Sequence, residues 1–234
     1  MIDPVEKVDE DGPVLITCEH ATQRMPPGWR WPDEDRWLEG THWAFDLGAR
    51  EIALELAEAM RIGAVLSRWS RLIVDPNRPE DSPTLFRERA EGRPVHLNTT
   101  HLDDEERARR IEKLLRPYHA EVDDRVRGSG ARTLFSVHSF TPEYEGEVRT
   151  LEVGVLYDLD EDLARRLAQH LADTGMRVAL NEPYSGAAGM MYSVDRHARR
   201  HGRRCVEIEV RQDLAVDPVF RARLVARLAD FFGG

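Results

Sequence analysis

The chain has 234 residues, enough for one large α/β domain with a buried core and short for two. Its apolar fraction of 41% and charged fraction of 32% read as globular rather than disordered, and a formal net charge of -10 argues against nucleic acid as a partner. No apolar run is long enough to span a membrane, the acidic start has no signal core, and two cysteines make no disulfide framework, so a reducing cytoplasm is expected.

Residues 1–12 read as a polar tail, and 13–234 as a single α/β domain. Val14–Cys18 is a short apolar strand with Glu19 and His20 at its carboxyl end. Residues 21–40 carry Pro26, Pro27, Pro32 and three tryptophans, which fits an ordered loop. Ala49, Ile52, Ala53, Leu56 and Met60 have amphipathic-helix spacing, with Asp46 at a favoured capping position. Ala64–Leu66 and Leu72–Val74 read as strands, and 76–101 as loop. Asp103–Arg127 is the longest helix, with one apolar face and Gly128-Ser129-Gly130 as its stop. Thr133–Val137 is a strand leading to His138, and Leu151–Leu156 is another. A helix at Glu161–Thr174, a strand at Val178–Leu180, a short helix at Ser193–His201 and a strand at Cys205–Val210 follow. Asp217-Pro218 opens the last helix.

This alternation of strands and helices implies a three-layer α/β/α domain with a mostly parallel sheet. In such sheets ligand sites form at the carboxyl ends of strands. Two histidines stand there, His20 and His138. Neutral imidazole is the commonest zinc ligand, and a catalytic zinc takes three protein ligands. From the residues alone the third ligand stays open among Asp46, Glu19 and Glu209, with His42 a weaker alternative. No HExxH or CxxC pair is present, so spacing by itself does not prove a metal site. Alternation puts Glu207, Glu209 and Arg211 on one strand face. That reads either as a wet edge strand or internal Glu–Arg pair, or as a carboxylate base beside an orienting arginine. Arg71 and Arg78 suit carboxylate recognition, and Asn77 supplies a neutral donor and acceptor. Asn181-Glu182-Pro183-Tyr184-Ser185-Gly186 reads as a turn. The arginines between Arg196 and Arg204 read as a solvated helix face.

Several segments together resemble the N-formylglutamate amidohydrolase family: CEHAT at 18–22, FDLGA at 45–49, SRLIVDPNRP at 70–79, RPYHAEV at 116–122, SVHSF at 136–140, NEPYSG at 181–186 and VEIEVRQDL at 206–214. The resemblance implies a fold like that of the zinc-dependent exopeptidases and hydrolysis of a small N-acyl amino acid, in the namesake case N-formyl-L-glutamate to formate and glutamate. It implies a zinc ion held by His20, Asp46 and His138, with Glu209 as the catalytic carboxylate. Arg71, Asn77, Arg78, Asn181, Tyr184 and Arg211 are implied as substrate or site-shaping groups. Cys-Glu-His-Ala stands where many relatives carry Pro-His-Ser-Gly, and Glu207 where they carry Gln. A zinc amidase or carboxypeptidase acting on peptides or cell-wall fragments is the alternative enzyme, and a ligand-binding relative without metal is the alternative from another class.

Overall fold

The computed structural model describes residues 2–144 and 146–234. Seven strands, β1 (Val5–Val8), β2 (Val14–Cys18), β3 (Ala64–Ser67), β4 (Thr133–Phe140), β5 (Val153–Leu156), β6 (Val178–Leu180) and β7 (Arg204–Arg211), form one sheet in the order β1-β3-β2-β4-β7-β5-β6. β3, β2, β4 and β7 run parallel. β5 is antiparallel to β7 and parallel to β6, and β1 is an antiparallel edge. The mostly parallel sheet expected from the alternation is what forms.

Among the described residues, five helices of ten residues or more cover it: α1 (Ala49–Met60), α2 (Asp104–Gly128), α3 (Glu161–Ala172), α4 (Tyr192–His201) and α5 (Pro218–Gly233). Along β4 and β7 the side chains alternate in function. Phe135, Val137, Val206, Ile208 and Val210 join Ile52, Leu167 and Leu224 of α1, α3 and α5 in one core. Leu134 and Cys205 lie on the other face with Tyr118 and Val122 of α2 and Val194 of α4. The result is helix on both faces, a three-layer α/β/α arrangement. A third apolar cluster, with Leu72, Ile73, Leu85, Phe86 and Leu115, underlies the long connections between α1 and α2.

Several local expectations differ from the structure. The polar tail contains β1, because Val5 buries fully and the segment pairs with β3 from Val5–Ser67 to Val8–Ala64. Leu72–Val74 is turn rather than strand: Ile73 N–H donates to Ser70 O and the apolar side chains enter the third cluster. Residues 76–101 hold a two-stranded ribbon, Arg89–Ala90 with Arg93–Pro94, and a one-turn helix at His96–Thr99. α2 widens into a π-helical turn at Ile111–Leu115 just before Pro117. Proline has no N–H and crowds the carbonyl four residues back, and a wider turn relieves both. β4 continues through His138 to Phe140, so His138 belongs to the strand itself.

Candidate active site

β2, β4 and β7 lie side by side, and their alternation delivers polar residues to one face near the carboxyl ends. Thr17 pairs with Ser136 across β2 and β4, and Glu207 and Glu209 pair with Ser136 and His138 across β4 and β7. Glu19 and His20 follow β2 directly. Asp46 enters from the loop before α1. It does not cap that helix; Gly48 occupies the cap at φ 80°. A Cβ on Gly48 would lie 2.5 Å from the Ala215 carbonyl carbon, so only glycine allows α1 to start this close to the helix at Gln212–Ala215. The Asp46 carboxylate is thereby free to turn toward the histidines, while its N–H donates to His20 O at 2.9 Å.

His20, Asp46 and His138 are all buried, and each offers a ligand atom within 4.8 Å of the others. Asp46 Oδ2 lies 3.3 Å from His20 Nδ1 and 2.8 Å from His138 Nδ1. The opposite ring nitrogens are held by two further carboxylates: His20 Nε2 by Asp75 Oδ1 at 2.7 Å and His138 Nε2 by Glu19 Oε2 at 3.0 Å. A carboxylate behind a ligating imidazole fixes its tautomer and raises its basicity. Ser136 Oγ and Tyr118 OH donate to Glu19 at 2.7 and 3.2 Å, which orients that carboxylate in turn. Arg71 reaches Asp75 at 2.8 Å and Asp46 at 3.6 Å.

Charge is unbalanced here. Glu19, Asp46, Asp75, Glu207 and Glu209 are all buried around two imidazoles and the Arg71 guanidinium. Burial works against the ionised form of Glu19, yet hydrogen bonds from His138 and Ser136 hold its carboxyl down at about 2. Asp46 is also held low, against burial, by the two histidines. Glu207 and Glu209 move the other way. Burial first, then nearby carboxylates, push Glu207 up to about 7 and Glu209 well above the carboxylate range. Their Oε2 atoms find no hydrogen-bond partner among the described residues. A divalent cation fits this set: it matches the two-imidazole, one-carboxylate donors and offsets surplus buried negative charge.

The donors open into a cavity of about 340 Å³ whose wall includes His20, Asp46, His138 and Glu209. Arg71, Asn77, Arg78 and Tyr184 line it as well; Asn181 and Arg211, read as substrate contacts, do not. Asn181 sits at φ 53°, and its Oδ1 accepts from Tyr157 N–H and Gly186 N–H, each at 3.1 Å. It shapes the turn that carries Tyr184. Arg211 comes at the end of β7, where the chain turns into the next helix. Its guanidinium is taken up by Asp213 and by the carbonyls of 149–151. Asn77 lines the cavity, but its amide donates to Met190 O and accepts from Ser193 N–H, which ties the loop before α4 in place. The Arg196–Arg204 cluster pairs outward with Asp195, Asp158, Asp123, Asp160 and Asp162.

Two cavity arginines escaped the sequence reading, Arg87 and Arg149. Arg87 stands over the Trp43 ring at 5.1 Å, and Arg149 over Tyr144 at 4.9 Å. Among the described residues, no carboxylate forms an ion pair with Arg78, Arg87 or Arg149. Burial, then repulsion from Arg71, pulls the Arg87 pKa down, as expected for a cation packed beside like charge. A Cβ on Gly154 would fall 1.9 Å from Glu182 O. The segment leading to Tyr184 can therefore press against β5 beside Glu209.

The chain is similar to known proteins along most of its length. A family model described as N-formylglutamate amidohydrolase matches residues 12–216. An N-formylglutamate deformylase of Pseudomonas putida is 29% identical over 204 residues, 74% of this chain and 72% of that protein. The crystal structure of gene product Atu2144 from Agrobacterium tumefaciens is 30% identical and superposes with a TM-score of 0.90, covering 99% of this chain and 94% of that one. The N-formylglutamate amidohydrolase of Ralstonia eutropha JMP134, at 19% identity and a TM-score of 0.69 over 99% of this chain and 96% of that one, shares the fold.

Proposed function

The chain belongs to the N-formylglutamate amidohydrolase family, and from that premise we propose that it is a metal-dependent hydrolase of small N-acyl amino acids, with N-formyl-L-glutamate as reference substrate. The observation that carries the metal half is the convergence of His20, Asp46 and His138 within 4.8 Å, with a carboxylate behind each imidazole. His20, Asp46 and His138 would hold a divalent ion, and that ion would supply Lewis acidity for the acyl oxygen and for a water.

The remaining steps belong to side chains. Glu209 takes a proton from the attacking water and passes it to the departing amine nitrogen. Glu207, beside it on β7, keeps a second buried carboxyl near the reacting centre without reaching the cavity wall. Arg71 is committed to Asp75 and Asp46 and holds the donor set together. Arg78, Arg87 and Arg149 are the guanidiniums that bind the carboxylates of the substrate's amino-acid half. They give a chain of net charge -10 a locally cationic cavity for an acidic substrate.

Metal analysis of protein purified without added zinc tests the site, together with hydrolysis of N-formyl-L-glutamate. Wild type is expected to carry about one divalent ion per chain and to release formate. His138→Ala is expected to lose both the ion and turnover. Full turnover by His138→Ala would end the metal-dependent reading, and metal-loaded protein inert toward every N-acyl substrate would favour a ligand-binding role.

A further inference from the structure

A second cavity, of about 510 Å³, adjoins the first. The two share His42, Trp43, Thr141 and Tyr144, so they are compartments of one cleft. The outer compartment adds Arg89, Glu91 and Gly92 from one ribbon and Glu143 from another, Glu143–Tyr144 with Glu147–Val148. We propose that the outer compartment receives the substrate's acyl group, and that this group is aromatic or similarly flat and extended rather than formyl. The inference rests on the amide-hydrolase reading.

Three observations carry it. The first is space. A formyl group ends in a hydrogen, and the inner compartment, at about 340 Å³, already falls in the range of small-molecule sites, ~300–1,000 Å³. The outer volume has no role with such a substrate. The second is charge. Arg71, Arg78, Arg87 and Arg149 line the inner compartment, the last two over the shared Trp43 and Tyr144 rings, whereas the charged residues that line the outer one alone, Glu91 and Glu143 against Arg89, are net acidic. The carboxylate-bearing half therefore stays inside, and the uncharged acyl half faces outward. The third is the wall between them. Trp43 is held at one ring face by Arg87, at 5.1 Å, and at its edge by Nε1–H donating to Glu91 at 3.4 Å. Tyr144, also in both walls, is 50% exposed, a large aromatic surface that a stacked acyl group would cover. The reaction is unchanged: water adds across the acyl C–N bond, the hydroxyl going to carbon and the proton to the amine.

The test is kcat/KM of the metal-loaded protein for N-formyl-, N-acetyl- and N-benzoyl-L-glutamate. N-benzoyl-L-glutamate is expected to exceed the formyl substrate at least tenfold. Glu143→Trp, which fills the outer compartment, is expected to lower the benzoyl-to-formyl ratio at least tenfold, and Trp43→Leu to lower it in the same direction. The two variants guard against one failing to fold. Turnover of N-formyl-L-glutamate with no gain for benzoyl, or a ratio unmoved in both variants, would overturn the acyl subsite and leave the hydrolase reading standing. Hydrolysis of none of the three by metal-loaded protein would overturn both.

Discussion

Replacing Glu209 by Gln keeps the shape of the side chain and removes its capacity to take a proton. Because Glu209 lines the cavity beside the donor residues without being one of them, Glu209→Gln is expected to retain the bound ion and lose ~10²–10⁴-fold in kcat. Metal content and steady-state turnover on the same preparation check this, and loss of the ion would reassign Glu209 to metal binding. Arg87→Ala removes a charge-assisted contact of about 1.5–3 kcal/mol, which corresponds to a roughly ten- to hundredfold rise in KM for a glutamate-based substrate. An unchanged KM would take Arg87 out of the binding site. At this scale the sequence exposed His20 and His138 because both lie near the carboxyl ends of strands, where open α/β sheets collect their ligands. Glu207 and Glu209 were legible as a pair from the period of two along β7. Arg87 and Arg149 were not, since both lie in connecting segments without periodicity and only the tertiary fold turns them inward. Asn77 and Asn181 were visible as polar residues in turns, but nothing in a linear reading separates an amide that meets substrate from one that ties backbone.

Several arginines of the site hang from one connection, the stretch between β3 and α2, and that stretch is pinned by a single side chain. Arg110 on α2 is 1% exposed. It donates to Glu106, Asn98 Oδ1 and the carbonyls of Ile73, Leu97 and His101. Asn98, held by Arg110, donates to Leu72 O and Arg87 O, so the network fixes the backbone that carries Arg71 and Arg87. Removing one partner of a buried ion pair costs about 3–5 kcal/mol, and Arg110→Ala also strands several carbonyls. A fall of that size in urea-unfolding free energy is expected, with KM raised alongside through the displaced Arg87 backbone. A change below about 1 kcal/mol would show that the connection holds its shape without Arg110. The helices and inner strands were legible because their apolar spacing is regular. β1 was not: its burial rests on Val5 and on pairing with β3, and its flanks are charged. Leu72–Val74 looked like a strand because its apolar run is short and continuous, a pattern that also serves a turn packed on a satellite core.

A histidine chain that locks α2 to α4, the two helices on the site's side of the sheet, adds to the acid sensitivity of the whole fold. His119 Nδ1 meets His197 Nε2 at 2.9 Å, His197 Nδ1 meets Asp123 at 2.8 Å, and His201 meets the same oxygen at 2.9 Å. Burial, aided by the neighbouring His197 and Arg196, pulls His119 down to about 3, and burial lowers His197 as well. In the unfolded chain a histidine takes up its proton near pH 6.5. Between pH 6.5 and about 3 the unfolded state therefore binds a proton that folded His119 refuses, so stability rises with pH across that window and is lost on acidification. The loss approaches 1.4 kcal/mol per pH unit for such a group, or roughly 2 kcal/mol from pH 7 to pH 5. Asp123, held low mainly by hydrogen bonds from His197 and His201 against the effect of burial, adds a loss of the same sign at lower pH. The active-site carboxylates and His138 titrate too, but identically in a variant that leaves them alone. Urea-unfolding free energies of metal-loaded wild type and His119→Gln at pH 7 and pH 5 isolate the contribution. The wild type is expected to lose roughly 2 kcal/mol more than the variant over that interval, and parallel losses would show that His119 is protonated in the folded protein after all.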